Sequence, residues 1–216
     1  MLPDYQAILF DCDGVIVDTE TLSSNILKQM LHEVGLNVDD HTLHTQFAGF
    51  TTQECLELAE SMLGKPLPET FPEQYRQAFN SAIQNSLTPI EGVVELLNSI
   101  RCPIAMATNA KRAEMELKLE LIQLTHFFKT RFAVDDVTQG KPAPDLYLKA
   151  ADALGVAPED CIVIEDSLAG IQAGKAAGAR VYAYSAVLPA SLQKEAGADA
   201  TFASMKELQS LLGLTS

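Results

Sequence analysis

Short apolar runs recur along the chain and predict strands. Four of them are nearly continuous, at residues 7–10, 104–107, 161–164 and 181–184, and a weaker candidate covers residues 132–134. Apolar runs of this length without polar alternation are typical of strands that are buried on both faces of a sheet. The pattern therefore favours a sheet that is covered by helices on both sides.

Helical patterns lie between these runs. Apolar residues recur at helical spacing over residues 93–100 and 146–154, and Gly155 follows the second pattern as a stop signal. The alternation of strands and helices predicts an α/β fold with a parallel sheet. In such folds the ligand binds beyond the carboxyl ends of the strands, so polar residues at those ends are the first candidates for a site.

Residues 18–87 interrupt this alternation. The stretch has no convincing strand pattern, but apolar stripes at helical spacing end at Gly35 and Gly64, and a third helical candidate follows them. We therefore predict a catalytic core of residues 1–17 and 88–216, with an all-α cap of residues 18–87 inserted after the first strand. Such an insertion is expected to act as a lid that selects the substrate.

The composition limits the partners that this protein can bind. The 216 residues include 29 acidic and 15 basic side chains, which give a formal net charge of −14, and such a field repels nucleic acid and anionic lipid. No apolar run approaches the roughly 18 uncharged residues of a membrane span. We expect a cytoplasmic protein without a nucleic-acid or membrane partner. We also expect a monomer, because no long exposed apolar stripe is left once core and cap are assigned.

Asp11 and Asp13 follow the first strand, with Cys12 between them and Gly14 after them. Because successive residues of an extended segment point to opposite sides, the two carboxylates can share a side while Cys12 faces the core. One aspartate can attack phosphorus, and the other can protonate a leaving alcohol and later deprotonate water. A polar turn with a helix-capping aspartate is the alternative interpretation.

Glu165 and Asp166 follow another of the predicted strands. Carboxylate oxygens suit hard cations such as Mg²⁺. Asp11, Asp166 and Glu165 would supply such oxygens, together with a backbone carbonyl near Asp13. In the alternative interpretation, Asp166 or Ser167 caps the helix that follows.

Two further polar segments suit a phosphate group. Thr108 and Asn109 follow the strand at residues 104–107 and can offer a hydroxyl and amide donors to a phosphate oxygen. Lys141 precedes Pro142 in a loop that proline stiffens, and a rigidly held ammonium suits the negative charge of phosphoryl transfer. The alternatives are an ordinary helix N-cap at Thr108 and a surface lysine.

Together and in this order, these segments resemble those of the haloacid dehalogenase superfamily, in particular its sugar phosphatase and β-phosphoglucomutase group. The resemblance covers nearly the whole chain. It rests on four segments: Asp11-Cys12-Asp13-Gly14-Val15, Thr108-Asn109, Lys141-Pro142-Ala143-Pro144-Asp145 and Glu165-Asp166-Ser167-Leu168-Ala169-Gly170. It implies a Rossmann-like parallel sheet core with an inserted helical cap.

The resemblance also implies roles for the polar residues. Asp11 would be the nucleophile, and Asp13 would be the general acid and base. Thr108, Asn109 and Lys141 would bind the phosphate of the substrate. A Mg²⁺ cofactor would be held by four residues: Asp11, Asp13, Glu165 and Asp166.

The expected activity is that of a Mg²⁺-dependent phosphatase, which hydrolyses a small phosphorylated metabolite, such as a sugar phosphate or 6-phosphogluconate, through an aspartyl-phosphate. A phosphohexomutase of the β-phosphoglucomutase type is the alternative, but Ser23 and Thr52 stand where that branch carries a histidine and an arginine. A non-catalytic binding protein on the same fold is a third possibility. Thr51, Thr52 and Arg76 are candidates for contacts between the cap and the substrate.

Overall fold

The computed structural model of the chain describes residues 5–47 and 52–214. The chain divides into two compact units, Met1–Asp18 with Thr88–Ser216, and Thr19–Leu87. The first is an α/β unit and the second is helical. Within the described residues, no helix combines the length and the apolar character needed to cross a bilayer.

The described part of the α/β unit contains a sheet of six parallel strands in the order β3-β2-β1-β4-β5-β6. The strands are β1 Ala7–Phe10, β2 Ile104–Ala107, β3 Thr130–Phe132, β4 Cys161–Glu165, β5 Arg180–Tyr184 and β6 Ala200–Phe202. β1 lies in the middle of the sheet, where Ile8 pairs with Ile104 of β2 and with Ile162 of β4. The doubly wound α/β architecture predicted from the sequence is therefore confirmed.

Burial explains why some strands have a clear sequence signal and others do not. Every residue of β1 and β4 is buried, in agreement with sequences that are apolar throughout except for Glu165 at the end of β4. The candidate at residues 132–134 has wrong bounds, because the strand ends at Phe132 and Val134–Asp136 form a 3-10 turn. β3 and β6 are the two edge strands and are partly exposed, so neither requires an apolar run.

The helical unit consists of α1 Thr19–Glu33, α2 Asp40–Thr42, α3 Thr52–Leu63 and α4 Phe71–Ser86, with a π-helical segment at Leu43–Phe47. Gly35 follows α1 with a φ angle of 95° and Gly64 follows α3 with a φ angle of 70°. Glycine adopts these left-handed conformations without the steric cost that other residues incur. The unit has its own apolar core, which includes Leu27, Leu31, Phe47, Ala59 and Phe71.

The described part of the α/β unit also contains six helices: α5 Val93–Ser99, α6 Arg112–Leu121, α7 Asp145–Leu154, α8 Leu168–Ala176, α9 Ala190–Glu195 and α10 Met205–Leu211. A further 3-10 turn covers Pro158–Asp160. α8 lies close to the sheet at Gly174, where an added Cβ would come within 2.7 Å of Val181. Residues of α7, α8 and the central strands share one buried apolar cluster, which fixes the carboxyl ends of the strands relative to the helices.

Candidate active site

The carboxyl ends of three neighbouring strands place polar residues at one edge of the sheet. Asp11 follows β1, Thr108 follows β2, and Glu165 is the last residue of β4. The backbone N–H of Asp11 donates to the carbonyl of Ile164 at 2.9 Å, so parallel pairing continues up to the site. Residues that are far apart in the sequence therefore meet at the position where this class of fold binds its ligands.

Lys141 lies between two carboxylates at this edge. Its ammonium group donates to Asp11 Oδ1 at 2.5 Å and to Glu165 Oε1 at 2.6 Å. It also stands 4.7 Å from the centre of the Tyr147 ring, within the range of a cation–π interaction. The side chain of Lys141 is only 3% exposed, so it is not a surface lysine.

Asn109 fastens the backbone of the loop that carries Lys141. The Asn109 amide nitrogen donates to the Lys141 carbonyl at 3.0 Å, and the amide oxygen accepts from the Lys141 N–H at 2.8 Å. Gly140 makes this approach possible, since a Cβ there would lie 2.6 Å from Asn109 Oδ1. The bond between Lys141 and Pro142 is cis. Both polar atoms of the Asn109 side chain are thus used to hold Lys141, which makes Asn109 a positioning residue in this arrangement.

Glu165 is completely buried and accepts five hydrogen bonds from described residues. Oε1 accepts from Lys141 and from the Tyr147 hydroxyl at 2.7 Å. Oε2 accepts from the backbone N–H groups of Asp166 and Ser167 and from the Ser167 hydroxyl. Gly170 leaves the space for this carboxylate, because a Cβ at that position would lie 1.7 Å from Oε1.

Asp166 completes an acidic cluster with Asp11 and Glu165. One carboxylate oxygen from each of the three residues lies within 4.8 Å of the others. The Asp166 carboxylate also packs against Gly14, where a Cβ would come within 1.9 Å of Oδ2. Ser167 is the N-cap of α8, because its hydroxyl accepts from the N–H of Gly170. The helix start is therefore capped without Asp166.

Burial and the shared lysine perturb the acidity of the cluster. Burial raises the pKa of Asp11 to about 7, because its effect and that of the Glu165 charge exceed the opposing attraction of Lys141. Burial also acts to raise the pKa of Glu165, but the Lys141 charge and the hydrogen bonds to Glu165 outweigh it and lower that pKa. The pKa of Lys141 is raised, since the two carboxylates outweigh its own burial. Lys141 therefore remains a cation at neutral pH.

Asp13 has a cationic partner of its own, Lys118 of α6. The Lys118 ammonium donates to Asp13 Oδ1 at 2.6 Å. The Lys118 side chain is 8% exposed and that of Asp13 is 31% exposed. Burial alone would lower the pKa of Lys118, but the attraction of Asp13 outweighs it and raises that pKa.

Thr108 follows β2, whereas the predicted substrate contacts Thr51 and Thr52 belong to the helical unit. Thr108 is buried, and its hydroxyl accepts from the N–H of Ala110. The N-cap alternative for Thr108 is wrong, because α6 begins at Arg112 with Lys111 as its N-cap. In the helical unit, Thr51 lies outside the described residues and Thr52 is the first residue of α3.

Two other cap positions are engaged within the helical unit. Arg76 of α4 forms a bidentate ion pair with Glu73 on its own helix and is largely exposed. Ser23, which stands at the histidine position of the mutase branch, shares a hydrogen bond of 2.7 Å with the Tyr75 hydroxyl. Ser23 of α1 therefore connects α1 to α4 by a polar contact within the helical unit.

Sequence reasoning missed Lys118 and Tyr147, whose side chains contact carboxylates of the candidate site. Each had a signal. Lys118 is a charged residue within the apolar stripe of α6, and Tyr147 is a hydroxyl-bearing residue on the buried face of α7. Buried polar groups require partners, so a lysine and a tyrosine on buried helix faces indicate nearby groups that accept hydrogen bonds.

Comparisons with known proteins agree with this fold and identify its family. The sequence model of the haloacid dehalogenase-like hydrolase family matches residues 8–184. The chain is 32% identical to the 6-phosphogluconate phosphatase of Escherichia coli (strain K12) over 183 residues, which cover 84% of this chain and 83% of that protein. It is 33% identical to the fructose-1-phosphate phosphatase of the same organism over 183 residues, with coverages of 82% and 95%.

A solved structure gives the same result. A haloacid dehalogenase family hydrolase from Deinococcus radiodurans R1, solved with bound phosphate and sodium, matches this chain with a TM-score of 0.87 and 32% sequence identity. The match covers 99% of both chains. The present chain belongs to the haloacid dehalogenase-like hydrolase family. Within that family it is an enzyme of the phosphatase type, a phosphoric monoester hydrolase.

Proposed function

We propose that the protein is a Mg²⁺-dependent phosphatase that hydrolyses a small phosphorylated metabolite through an aspartyl-phosphate on Asp11. One observation carries the proposal. Asp11 lies next to a buried lysine, with Lys141 Nζ 2.5 Å from Asp11 Oδ1, and it belongs to the same acidic cluster as Asp166. A carboxylate nucleophile, a cation for the phosphoryl oxygens and oxygen ligands for a metal are thereby gathered in one place.

The acidic cluster suits Mg²⁺ by its chemistry. It offers only carboxylate oxygens, which hard cations prefer, and Mg²⁺ binds through few carboxylates with water and substrate completing its shell. We propose Asp11, Asp166 and the backbone carbonyl of Asp13 as direct ligands. Glu165 already accepts five hydrogen bonds from the protein, so we assign it the role of orienting Lys141 and adding negative charge behind the ligands.

In the first half-reaction, Asp11 attacks phosphorus and the bond from phosphorus to the alcohol oxygen breaks. Asp13 gives its proton to the departing alkoxide, so a neutral alcohol leaves. Lys141 and the Thr108 hydroxyl bind the phosphoryl oxygens. Bound Mg²⁺ would neutralise negative charge on the phosphoryl group.

In the second half-reaction, water replaces the alcohol. Asp13, now a carboxylate, accepts a proton from the water as its oxygen attacks phosphorus. The bond from phosphorus to Asp11 breaks, inorganic phosphate leaves, and Asp11 is again a free carboxylate. The residue that served as the acid in the first step thus serves as the base in the second.

The names of the relatives support a class of substrate. They are phosphatases of 6-phosphogluconate and of fructose 1-phosphate, both of which are small phosphorylated carbohydrates. We propose a substrate of this class; the role of the helical unit in selecting it stays a prediction. Because the Arg76 guanidinium is already paired with Glu73, R76A is expected to leave KM nearly unchanged.

Trapping of the phosphorylated enzyme tests the nucleophile. D11N should lose measurable turnover with 6-phosphogluconate and fructose 1-phosphate and should not acquire acid-stable, hydroxylamine-sensitive phosphate from a labelled substrate. D152N, on the exposed side of α7, is the matched control and should behave as wild type. Normal turnover by folded D11N would remove Asp11 from the nucleophile role.

Metal binding is tested without the reaction. Mg²⁺ should raise the melting temperature of the wild-type protein, because a ligand that binds only the folded state stabilises it. D166N should lose most of this shift, whereas E165Q should retain part of it, because Glu165 is proposed to lie behind the direct ligands. A full Mg²⁺ response in D166N would contradict the proposed ligand set.

Product analysis separates hydrolysis from the mutase alternative. Incubation with β-glucose 1-phosphate and a trace of the 1,6-bisphosphate should give free phosphate. The side chain at the mutase histidine position is Ser23, whose hydroxyl interacts with Tyr75, and a serine has no positive charge with which to hold a second phosphate. Accumulation of glucose 6-phosphate would favour the mutase.

A further inference from the structure

Lys118 occupies a position in α6 where an apolar residue is expected. The buried face of this helix contains Met115, Lys118 and Leu119, and Ile122 continues the same spacing just after the helix ends. Residues three, four and seven positions apart form one face of a helix. Lysine is rarely buried unless its charge is paired, so its partner at this position is the informative feature.

That partner is the carboxylate proposed to transfer the proton. Lys118 Nζ donates to Asp13 Oδ1 at 2.6 Å across 105 positions of sequence. Burying such a pair is a weak way to gain stability, because removing both charges from water offsets much of their attraction. A lysine on the apolar face of α6 is therefore better explained by what it does to Asp13 than by the stability of the helix.

The chemistry of the ammonium group determines which oxygen of Asp13 can carry the proton. An ammonium group has three donors and no acceptor, so Oδ1, which accepts from Lys118, is bound as an acceptor. A proton on the Asp13 carboxyl group is therefore favoured on Oδ2, because protonation of Oδ1 would weaken its hydrogen bond from Lys118. The contact also restricts rotation of the carboxyl group, which fixes the direction in which Oδ2 points.

We propose that Lys118 is a positioning residue that holds Oδ1 of Asp13 and thereby assigns proton transfer to Oδ2. This inference rests on the proposed function of Asp13. In the first half-reaction, the Oδ2–H bond breaks and a bond from that hydrogen to the alcohol oxygen forms as phosphorus transfers to Asp11. In the second half-reaction, Oδ2 takes a proton from water as the water oxygen attacks phosphorus. Lys118 keeps its three protons throughout.

The experiment compares two leaving groups in single turnovers. An alkyl phosphate releases a basic alkoxide that needs a proton, whereas p-nitrophenyl phosphate releases a phenolate that needs none. The alkyl substrate is whichever of 6-phosphogluconate and fructose 1-phosphate the wild-type enzyme hydrolyses faster. Release of the alcohol is followed with enzyme in excess, so that later hydrolysis of the phosphoenzyme does not affect the measured rate.

K118M should slow alcohol release from the alkyl phosphate by about 10²-fold, the scale of a misplaced reacting group. Release of p-nitrophenolate should change by less than about threefold, since that step needs no proton transfer. K118R retains a donor and should recover most of the alkyl rate. K175M is the matched control, because it removes a lysine that pairs with Asp199 at a similar distance of 2.8 Å but on the exposed surface; both rates should stay at the wild-type level.

The test of Lys118 is the ratio between the rate of alcohol release from the alkyl phosphate and the rate of p-nitrophenolate release. Equal slowing of both substrates in folded K118M, or no slowing of either, overturns the assignment of Lys118. K118Q is evaluated by the same ratio, so the measurement is obtained even if the methionine variant does not fold.

D13N distinguishes this inference from the proposed function. If D13N itself leaves the ratio unchanged, the acid role of Asp13 is wrong. If D13N changes the ratio and the Lys118 variants do not, only the role of Lys118 is wrong. In the D13N background, K118M should have no further effect on the ratio, because the two residues act through one contact.

Discussion

The side-chain amide of Asn109 binds both backbone polar groups of Lys141, donating to its carbonyl and accepting from its N–H. This pair of hydrogen bonds connects the loop after β2 to the loop before α7. The cation that bridges Asp11 and Glu165 is thus held by its backbone as well as by its ammonium group.

Removal of the Asn109 side chain should therefore lower activity through Lys141. We expect N109A to reduce kcat by about tenfold with little change in KM, because a small displacement of a positioned group affects the reaction more than binding. The measurement is steady-state kinetics with 6-phosphogluconate or fructose 1-phosphate. N98A, which removes an exposed amide on α5 that bonds within its own helix, is the control, and equal kinetics of N109A and N98A would contradict the role of Asn109.

Loss of the Lys141 charge should affect both folding and catalysis. K141M leaves two buried carboxylates without their cation, and breaking a buried pair in this way costs about 3–5 kcal/mol of unfolding free energy. Urea denaturation without metal measures this cost, and kcat should fall by about 10²-fold to 10³-fold. K175M, which removes an exposed ion pair, should cost less than about 1 kcal/mol. Similar stabilities of the two variants would show that the Lys141 contacts contribute little.

Gly14 and Gly64 have similar backbone conformations, but only Gly14 also lies against another side chain. Their φ angles are 73° and 70°, but a Cβ on Gly14 would lie 1.9 Å from Asp166 Oδ2, whereas a Cβ on Gly64 would meet nothing within 4 Å. Both alanine variants should lose about 1–2 kcal/mol of unfolding free energy, because alanine is strained in the left-handed conformation. Only G14A should also lose the rise in melting temperature that Mg²⁺ produces. The same Mg²⁺ response in both variants would argue against a tight contact between Gly14 and Asp166.

The ion pair at the edge of the sheet should make stability depend on pH. Arg131 of β3 makes bidentate hydrogen bonds to Glu116 of α6, and these, more than the nearby positive charges, lower the pKa of Glu116. A lowered carboxyl pKa stabilises the fold above the unfolded value of about 4.3, and this contribution is lost as the pH falls through the folded value.

We expect E116Q to be less stable than wild type by about 0.2–1 kcal/mol at pH 7, because both side chains are partly solvated. The difference in unfolding free energy between E116Q and the wild type should decrease below about pH 4.3. Urea midpoints across this range provide the test, and the double-mutant cycle with R131Q isolates the pair. A constant difference at all pH values would mean that Glu116 contributes by packing instead of charge.

The sequence predicted the central strands and the convergence of the carboxylates for a physical reason. β1 and β4 are buried on both faces, so their apolar runs are distinctive. Parallel strands end at the same edge of a sheet, so residues after them were expected to meet. The observed cluster of Asp11, Glu165 and Asp166 agrees with that expectation.

What the sequence did not reveal depends on tertiary contacts. The edge strand β6 has three residues and no apolar pattern, and its pairing with β5 is visible only in the folded sheet. The positioning role of Asn109 could not be distinguished from a phosphate contact, because the residue type serves both. The partner of Lys118 lies 105 positions away, and helical spacing alone cannot identify a contact at that separation.

The central place of β1 has a consequence for synthesis on the ribosome. β1 is made before the other strands of the described sheet, but one of its two neighbours, β4, begins only at Cys161. Until that segment emerges, one side of a wholly apolar strand has no hydrogen-bonding neighbour, and such an edge favours pairing with other chains. Nascent or truncated chains that stop before Cys161 are therefore expected to expose this edge of β1 and to require a chaperone.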